Sequence, residues 1–396
     1  MKTLLVIFGV TGDLSTRKLL PALRDIVNEH ESLDLHLMGV SRREFDINAL
    51  VMDTTGSDRL SAISSSITMD VAVVEDYQKL KQAIMDHGAD QTLIYLSVPP
   101  GAAAQIVDLL GEAGINTPDI RLLFEKPFGF DLESAKDFIS RTARYFTEEQ
   151  TYRIDHYMAK EVAAEIVQLR RKAEVSHKRW CADTVESVTI VASEKIGIEG
   201  RAQFYEQTGA LRDFVQGHLM QLLSLVLMPQ ATINDELPTQ RLRALKQLKT
   251  VSPDQSVRGQ YDTYQEEVEN PGSTTETFVA LELESADPEW VGVPLRLVTG
   301  KALDEKRSYI EIKGKDGSVS FFEEGAVRAD TVDRKLDAYE RVLLGAIDAN
   351  EALFTSGEEV LESWRVLASV QEHWSMDSAE LKQYPKGAHY SQVFSR

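Results

Sequence analysis

The chain contains a single cysteine, Cys181, which excludes an internal disulfide and fits a reducing compartment; a buried apolar role suits it better than a reactive one. Basic residues are scarce, 43 Lys and Arg against 63 Asp and Glu, for a formal charge of −20. This argues against nucleic-acid binding, and any anionic ligand must be drawn by a local basic cluster against an unfavourable overall field. Long apolar runs are also missing, with no window near the ~18 residues that a membrane span needs. Met1 to Val10 imitates the start of a secretion signal, but Gly12, Asp13, Arg17 and Lys18 interrupt it without a small-residue cleavage pattern. A soluble, cytoplasmic protein with no membrane contact is expected, and no metal is called for.

The 396 residues, 43% of them hydrophobic, are enough for two domains, each with its own core. In the first part, strand-length apolar runs at 4–8, 35–40, 67–73, 92–98 and 120–124 alternate with amphipathic stretches. That alternation predicts α/β, a doubly wound (Rossmann) parallel sheet over residues 1–155. Ligands of such sheets bind outside the carboxyl ends of the strands, where the Gly9 loop, Ser41, Ser97 and Glu125 all fall. From 185 onward the runs 185–192, 275–283, 293–299, 309–312 and 318–322 collect around a helical stretch at 210–228. Residues 156–396 are therefore expected to form an α+β domain with a large, mainly antiparallel sheet. The tail reads as helices over 333–350 and 358–374, and the polar stretch 252–273, with Pro253, Gly259, Pro271 and Gly272, reads as a linker or loop.

The first strand runs into Gly9-Val10-Thr11-Gly12-Asp13-Leu14, and a helix is expected from Ser15 or Thr16. Glycines let backbone approach a pyrophosphate, and a helix N-terminus favours its charge. The spacing is GxxG rather than GxGxxG, so an ordinary tight turn is the alternative; position after the first strand favours a dinucleotide held by Gly9, Thr11, Gly12, Asp13 and Leu14. The second strand ends in Ser41-Arg42-Arg43, where an NAD enzyme would usually place a carboxylate for the ribose 2′-hydroxyl. Arg42 and Arg43 suit a 2′-phosphate, so NADP is expected, with NAD a weaker alternative because of Glu44.

Asp155, His156, Tyr157 and Lys160 fall within six positions, and His156 and Lys160 share one face if a helix starts there, which suits a phosphate monoester. Lys126, at the end of another strand, can reach a sugar oxygen or the nicotinamide end of a cofactor. His218 lies in an apolar helical pattern. A base that takes a hydroxyl proton assists loss of hydride from the carbon beneath it, and His218 is the candidate. A satisfied core histidine is the plainer alternative. Asp213, five residues earlier, and Asp155, able to accept from the other ring nitrogen, favour catalysis.

Taken in order, FGVTGDLSTRKLLPAL, YLSVPPGAA, FEKPFGFDLESA, YRIDHYMAKE, TGALRDFVQGHLMQ and VTGKALDEK resemble the glucose-6-phosphate dehydrogenase family, from residue 7 to about 364. The resemblance implies oxidation of β-D-glucose 6-phosphate at C1 to 6-phosphoglucono-1,5-lactone, the first step of the oxidative pentose phosphate pathway, with hydride passing to NADP. It assigns His218 as the base with Asp155 as its partner, and His156, Tyr157 and Lys160 to the substrate phosphate with Lys306 as a further ligand. Glu194, Asp213 and Lys301 fall to the sugar hydroxyls, Lys126 to both substrate and cofactor, and Ser97 and Pro99 to the cofactor. A homodimer through the sheet domain, or a dimer of dimers, is expected. The chain departs from the family in its shortness, in Gly217 where asparagine is usual, and in Ser356-Gly357 where arginine is common; the losses put a second, structural NADP site in doubt. The competing readings are a dehydrogenase of another sugar phosphate and a catalytically silent NADP-binding paralogue.

Overall fold

A computed structural model describes residues 1–172, 179–229, 237–325, 336–376 and 380–394. Strands are numbered along the chain. The first sheet has the order β13-β6-β5-β4-β1-β2-β3. It comprises β1 (Thr3–Phe8), β2 (Leu35–Ser41), β3 (Ser64–Thr68), β4 (Gln91–Leu96), β5 (Ile120–Phe124), β6 (Thr151–Ile154) and β13 (Phe354–Thr355). The first six are parallel to their neighbours, and only β13 runs antiparallel, to β6. All six residues of β1 are buried, as a central parallel strand with both faces covered requires; each large apolar side chain so buried contributes roughly 1.5–3 kcal/mol. The strand order reverses between β1 and β4, where Phe8 lies opposite both Val40 and Leu96. The crevice at that reversal is where an open α/β sheet takes ligands.

The chain divides into two compact units, the first holding Met1–Gly129, Glu133–Ala159 and Asp333–Gly357. The expected cut between residues 155 and 156 differs from this in three respects: Phe130–Leu132 belongs to the second unit, the first unit extends to Ala159, and a tail segment returns to it. The return is driven by burial. Helix Ala338–Ile347 begins at Asp337, whose side chain accepts the Tyr339 N–H at 2.9 Å, and it places Val342, Leu343, Ala346 and Ile347 in the same core as Leu5, Ile7, Leu93 and Tyr95.

The second unit holds Phe130–Leu132, Lys160–Val332 and Glu358–Arg396. Its sheet has the order β12-β11-β7-β10-β9-β8-β14, from β7 (Val185–Ser193), β8 (Ser256–Tyr261), β9 (Phe278–Leu283), β10 (Leu295–Gly300), β11 (Arg307–Gly314), β12 (Val319–Glu323) and β14 (Lys382–Tyr384). Two neighbouring pairs are parallel, β7 with β10 and β8 with β14, and the rest antiparallel. A tyrosine-rich core, including Tyr205, Tyr261, Tyr264 and Tyr384, lies against it.

Several local expectations change. The run 67–73 ends as a strand at Thr68, because Asp70 turns the chain by accepting the Ala72 N–H at 3.0 Å. The stretch 252–273 is not a loop: it contains β8 and the short helix Tyr264–Glu267. Its polar residues concealed the strand because their partners are remote. Arg258 donates to the carbonyls of Glu380 and Trp374 at 3.1 and 3.0 Å, and Gln260 to those of Ser273 and Thr275 at 3.0 and 2.9 Å. The helix read over 333–350 spans Ala338–Ile347, residues 333–335 lying outside the described ones, and the last long helix is Gly357–Trp374. Cys181 is half-buried rather than buried, since it sits in a turn where its N–H donates to Thr184 Oγ1 at 3.2 Å.

Candidate functional site

Gly9 leaves β1 with φ +76°, and a Cβ there would fall 2.3 Å from the Ser97 carbonyl oxygen at the end of β4. Only glycine fits a left-handed turn so close to another backbone. The Gly12 N–H donates to the Gly9 carbonyl at 2.9 Å, and the buried Ser15 hydroxyl donates to the Gly9 carbonyl at 3.0 Å and lies 3.2 Å from Ser97 Oγ. A helical segment, π-wound over Ser15–Leu19 and α over Leu20–Glu29, follows the loop, with helical winding already at Asp13 and Leu14, two residues before the expected start. Thr11 and Asp13 are exposed, and Gly12 and Leu14 partly so. Arg42 and Arg43 are exposed just beyond β2. This tight loop, a helix start and two guanidiniums fit a phosphorylated dinucleotide.

At the carboxyl ends of β5 and β6 stand Glu125 and Lys126, then Asp155, His156 and Tyr157. Tyr95 donates its hydroxyl to Glu125 Oε1 at 2.5 Å, and the Tyr339 phenol faces the same carboxyl. Burial pushes the Glu125 carboxyl up to about 7, with Asp155 adding to the rise and the phenols and Lys126 opposing it. Asp155 is 1% exposed, and its Oδ1 accepts the Tyr157 N–H at 2.9 Å. The His156 ring lies parallel to that of Tyr339, 14° apart with centroids separated by 6.3 Å. No helix starts at His156: residues 156–159 form turns, the Met158 N–H donating to the Asp155 carbonyl at 2.9 Å, and the next helix is Glu161–Lys172. The shared helix face expected of His156 and Lys160 therefore does not exist. Asp155 competes for local backbone donors, which turns the chain.

In the second unit, a break at Gly209, φ +62°, leads into a π-helix over Leu211–Leu219 and then an α-helix over Met220–Leu227. A π-helix, with i→i+5 hydrogen bonds, is wound more loosely than an α-helix, so Asp213 and His218 lie nearer to one face, whereas α winding would set them about 140° apart. His218 is 3% exposed and meets Phe214 edge-on at 5.2 Å between centroids. A Cβ on Gly209 would fall 2.4 Å from Glu276 Oε1, the atom that accepts the Leu211 N–H at 2.9 Å and so starts the π-helix. Lys301, buried just after β10, pairs with Glu194 just after β7 and stands 5.1 Å over the Tyr205 ring. Burial, then Asp213, Glu276, Tyr384 and Glu194, drive the Tyr205 phenol well above its usual range. Lys306 is exposed on the loop before β11, and Lys160 is half-buried.

Two family models cover almost the whole chain: the NAD binding domain of glucose-6-phosphate dehydrogenase over residues 6–165 and its C-terminal domain over 167–335 and 326–394. The chain belongs to the glucose-6-phosphate dehydrogenase family. The glucose-6-phosphate 1-dehydrogenase of Dickeya dadantii is 31% identical across 97% of this chain and 93% of its own length. A crystal structure of that enzyme from Mycobacterium avium is 29% identical, with a TM-score of 0.85 over 98% of this chain and 94% of that one. A structure of glucose-6-phosphate dehydrogenase with its substrate, 24% identical, shares the fold at a TM-score of 0.88 over 98% and 95%.

Within this dehydrogenase fold the first unit gathers Gly9, Ser97, Lys126, Asp155, His156 and Tyr157 at the carboxyl edge of the parallel sheet. The second gathers Glu194, Asp213, His218 and Lys301 around β7, β10 and the π-helix. Motif reading missed Tyr95, Tyr205, Glu276 and Tyr339 as partners of these residues. Tyr95 lies inside a quoted motif and was discoverable as the polar end of a buried strand; Tyr339 has no local signal. Among the described residues no group of three or more His, Cys, Asp or Glu is placed to hold a metal ion, and no helix is long and apolar enough to cross a membrane.

Proposed function

We propose that the protein oxidises β-D-glucose 6-phosphate at C1 to 6-phosphoglucono-1,5-lactone, with NADP as hydride acceptor. The observation that carries this is the match to both domains of one dehydrogenase family across residues 6–165 and 167–394, with every expected acid, base and ammonium present. His218 takes the O1 proton, and Asp155 accepts from its other ring nitrogen, keeping the right tautomer and favouring the imidazolium that forms. His156, Tyr157, Lys160 and Lys306 hold the phosphate dianion; Lys126, Glu194, Asp213 and Lys301 hold the sugar hydroxyls. These fixed contacts orient the carbon that loses hydride. Gly9, Thr11, Gly12, Asp13 and Leu14 carry the pyrophosphate, with Ser97, Pro99 and Lys126 alongside the dinucleotide. Arg42 binds the 2′-phosphate, which makes NADP the preferred cofactor over NAD. When bound, the cofactor supplies the hydride acceptor.

The protein is further read as a cytoplasmic homodimer paired through the second unit's sheet, where Val319 and Phe321 are 55% and 39% exposed on β12. Light scattering after size exclusion that shows monomer alone refutes the dimer. The functional test is the initial rate of nicotinamide reduction by purified protein with glucose 6-phosphate, using NADP and NAD in parallel. Turnover favouring NADP supports the whole reading. Turnover favouring NAD removes the role of Arg42, and no turnover with either removes the reaction.

A further inference from the structure

At the carboxyl edge of the parallel sheet, Glu125 is an acidic group that the reaction above does not use. Glu125 leaves β5 between two phenols: Tyr95 of β4, fully buried and hydrogen-bonded at 2.5 Å, and Tyr339 of the returning helix, which faces the same carboxyl. The Tyr339 ring lies parallel to that of His156. Lys126 follows Glu125 in sequence, and Asp155 ends β6. A single carboxyl thus lies among the ends of three adjacent strands and a helix that arrives from the tail.

We propose that Glu125 is a positioning residue for the dehydrogenase reaction: held by Tyr95 and faced by Tyr339, it sets the placement of Lys126 and, through the Tyr339 ring, of His156 as they receive the sugar phosphate. The inference rests on the reading that Lys126 and His156 bind that substrate. A phenol donates to a carboxyl in either protonation state, so the Tyr95 hydrogen bond itself survives titration. The charge does not. The groups facing Glu125 are Tyr95 from β4, its neighbour Lys126, Asp155 beyond β6 and Tyr339 from helix Ala338–Ile347. With Glu125 protonated, Asp155 is the one carboxylate among them. Above the value near 7 to which burial raises Glu125, two like charges share the site and Lys126 is drawn to the nearer one. The second charge weakens the hold on an anionic substrate.

The test compares wild type with E125Q, E125A and Y339F, full-length, measuring kcat and the KM for glucose 6-phosphate across about pH 6 to 9, together with thermal unfolding. E125Q keeps an acceptor for Tyr95 without the charge; its KM at acidic pH is expected to stay within about threefold of wild type and to lose the rise expected of wild type through neutrality. E125A removes the acceptor of Tyr95 and raises KM about tenfold or more, with the smaller change in kcat. Y339F keeps the ring beside His156 but loses the hydroxyl that faces Glu125, raises KM severalfold and folds even where E125A does not. An active wild type whose E125Q and Y339F variants share its KM and its pH profile overturns the inference alone. A wild type that neither binds nor oxidises glucose 6-phosphate overturns the functional reading and this inference with it.

Discussion

Acidic groups of the two units keep or give up their charge in opposite ways. In the first, Glu125 faces two phenols, and burial lifts it to about 7, so it is readily neutral. In the second, Glu194 pairs with Lys301 and Glu359 with Arg241, the last pair fully buried with Nε to Oε1 at 2.7 Å. A carboxyl taken out of water either gives up its charge or acquires a cation. The phenol-lined group can change protonation within the range where enzymes work, whereas the ion-paired ones serve as fixed geometry. Glu276 stands between the cases: burial raises it, and the Leu211 N–H with the charges of Arg212 and Arg258 opposes the rise.

The contrast can be broken first at its most buried pair. Arg241→Ala strands Glu359 without its cation, and a loss of about 3–5 kcal/mol in urea unfolding is expected, most of it recovered by combining Arg241→Met with Glu359→Leu. A single variant within about 1 kcal/mol of wild type would show that the pair is not fixed geometry.

Next in size is the division of chemistry. His218→Asn is expected to lower kcat by at least ~10²-fold with a modest change in KM, because it removes the base and leaves the binding groups of both units in place. Near-normal kcat would remove His218 from catalysis.

The pH contrast follows. Glu125 binds its proton more tightly folded than unfolded, so its contribution to stability is complete at pH below the ordinary glutamate value of 4.5 and is lost as pH rises through about 7. Relative to E125Q, wild type should therefore lose roughly 2–3 kcal/mol between about pH 4 and 8. Parallel stability curves for the two proteins would place Glu125 with the ion-paired carboxyls.

The smallest effect concerns cofactor choice. Arg42→Ala should raise the KM for NADP about tenfold while leaving that for NAD within about twofold. Equal changes for both cofactors would mean that Arg42 does not read the 2′-phosphate.

Much of the parallel sheet was legible because strands buried on both faces leave continuous apolar runs, as at residues 4–8 and 120–124. The strands that escaped were those whose stability is not local. β8 reads as a polar linker until Arg258 and Gln260 find remote carbonyl partners, and the two-residue β13 is too short to leave a pattern. The motif residues around Gly9, Lys126, Asp155 and His218 were visible for another reason. Each needs a particular side chain, or no side chain, at its place in the chain, and that requirement is written in residue type.

Thus the sequence alone determined the two sheet classes, the dinucleotide loop and the candidate chemical groups, because burial periodicity and side-chain chemistry act over a few neighbouring residues. Tertiary structure alone decided that Tyr339 returns from the tail to Glu125 and His156, that no helix face joins His156 to Lys160, and that π winding brings Asp213 and His218 nearer to one face. Those outcomes depend on which remote surface an apolar helix covers and on which backbone donors a buried carboxyl captures, and the free energy of either is set only when distant segments meet.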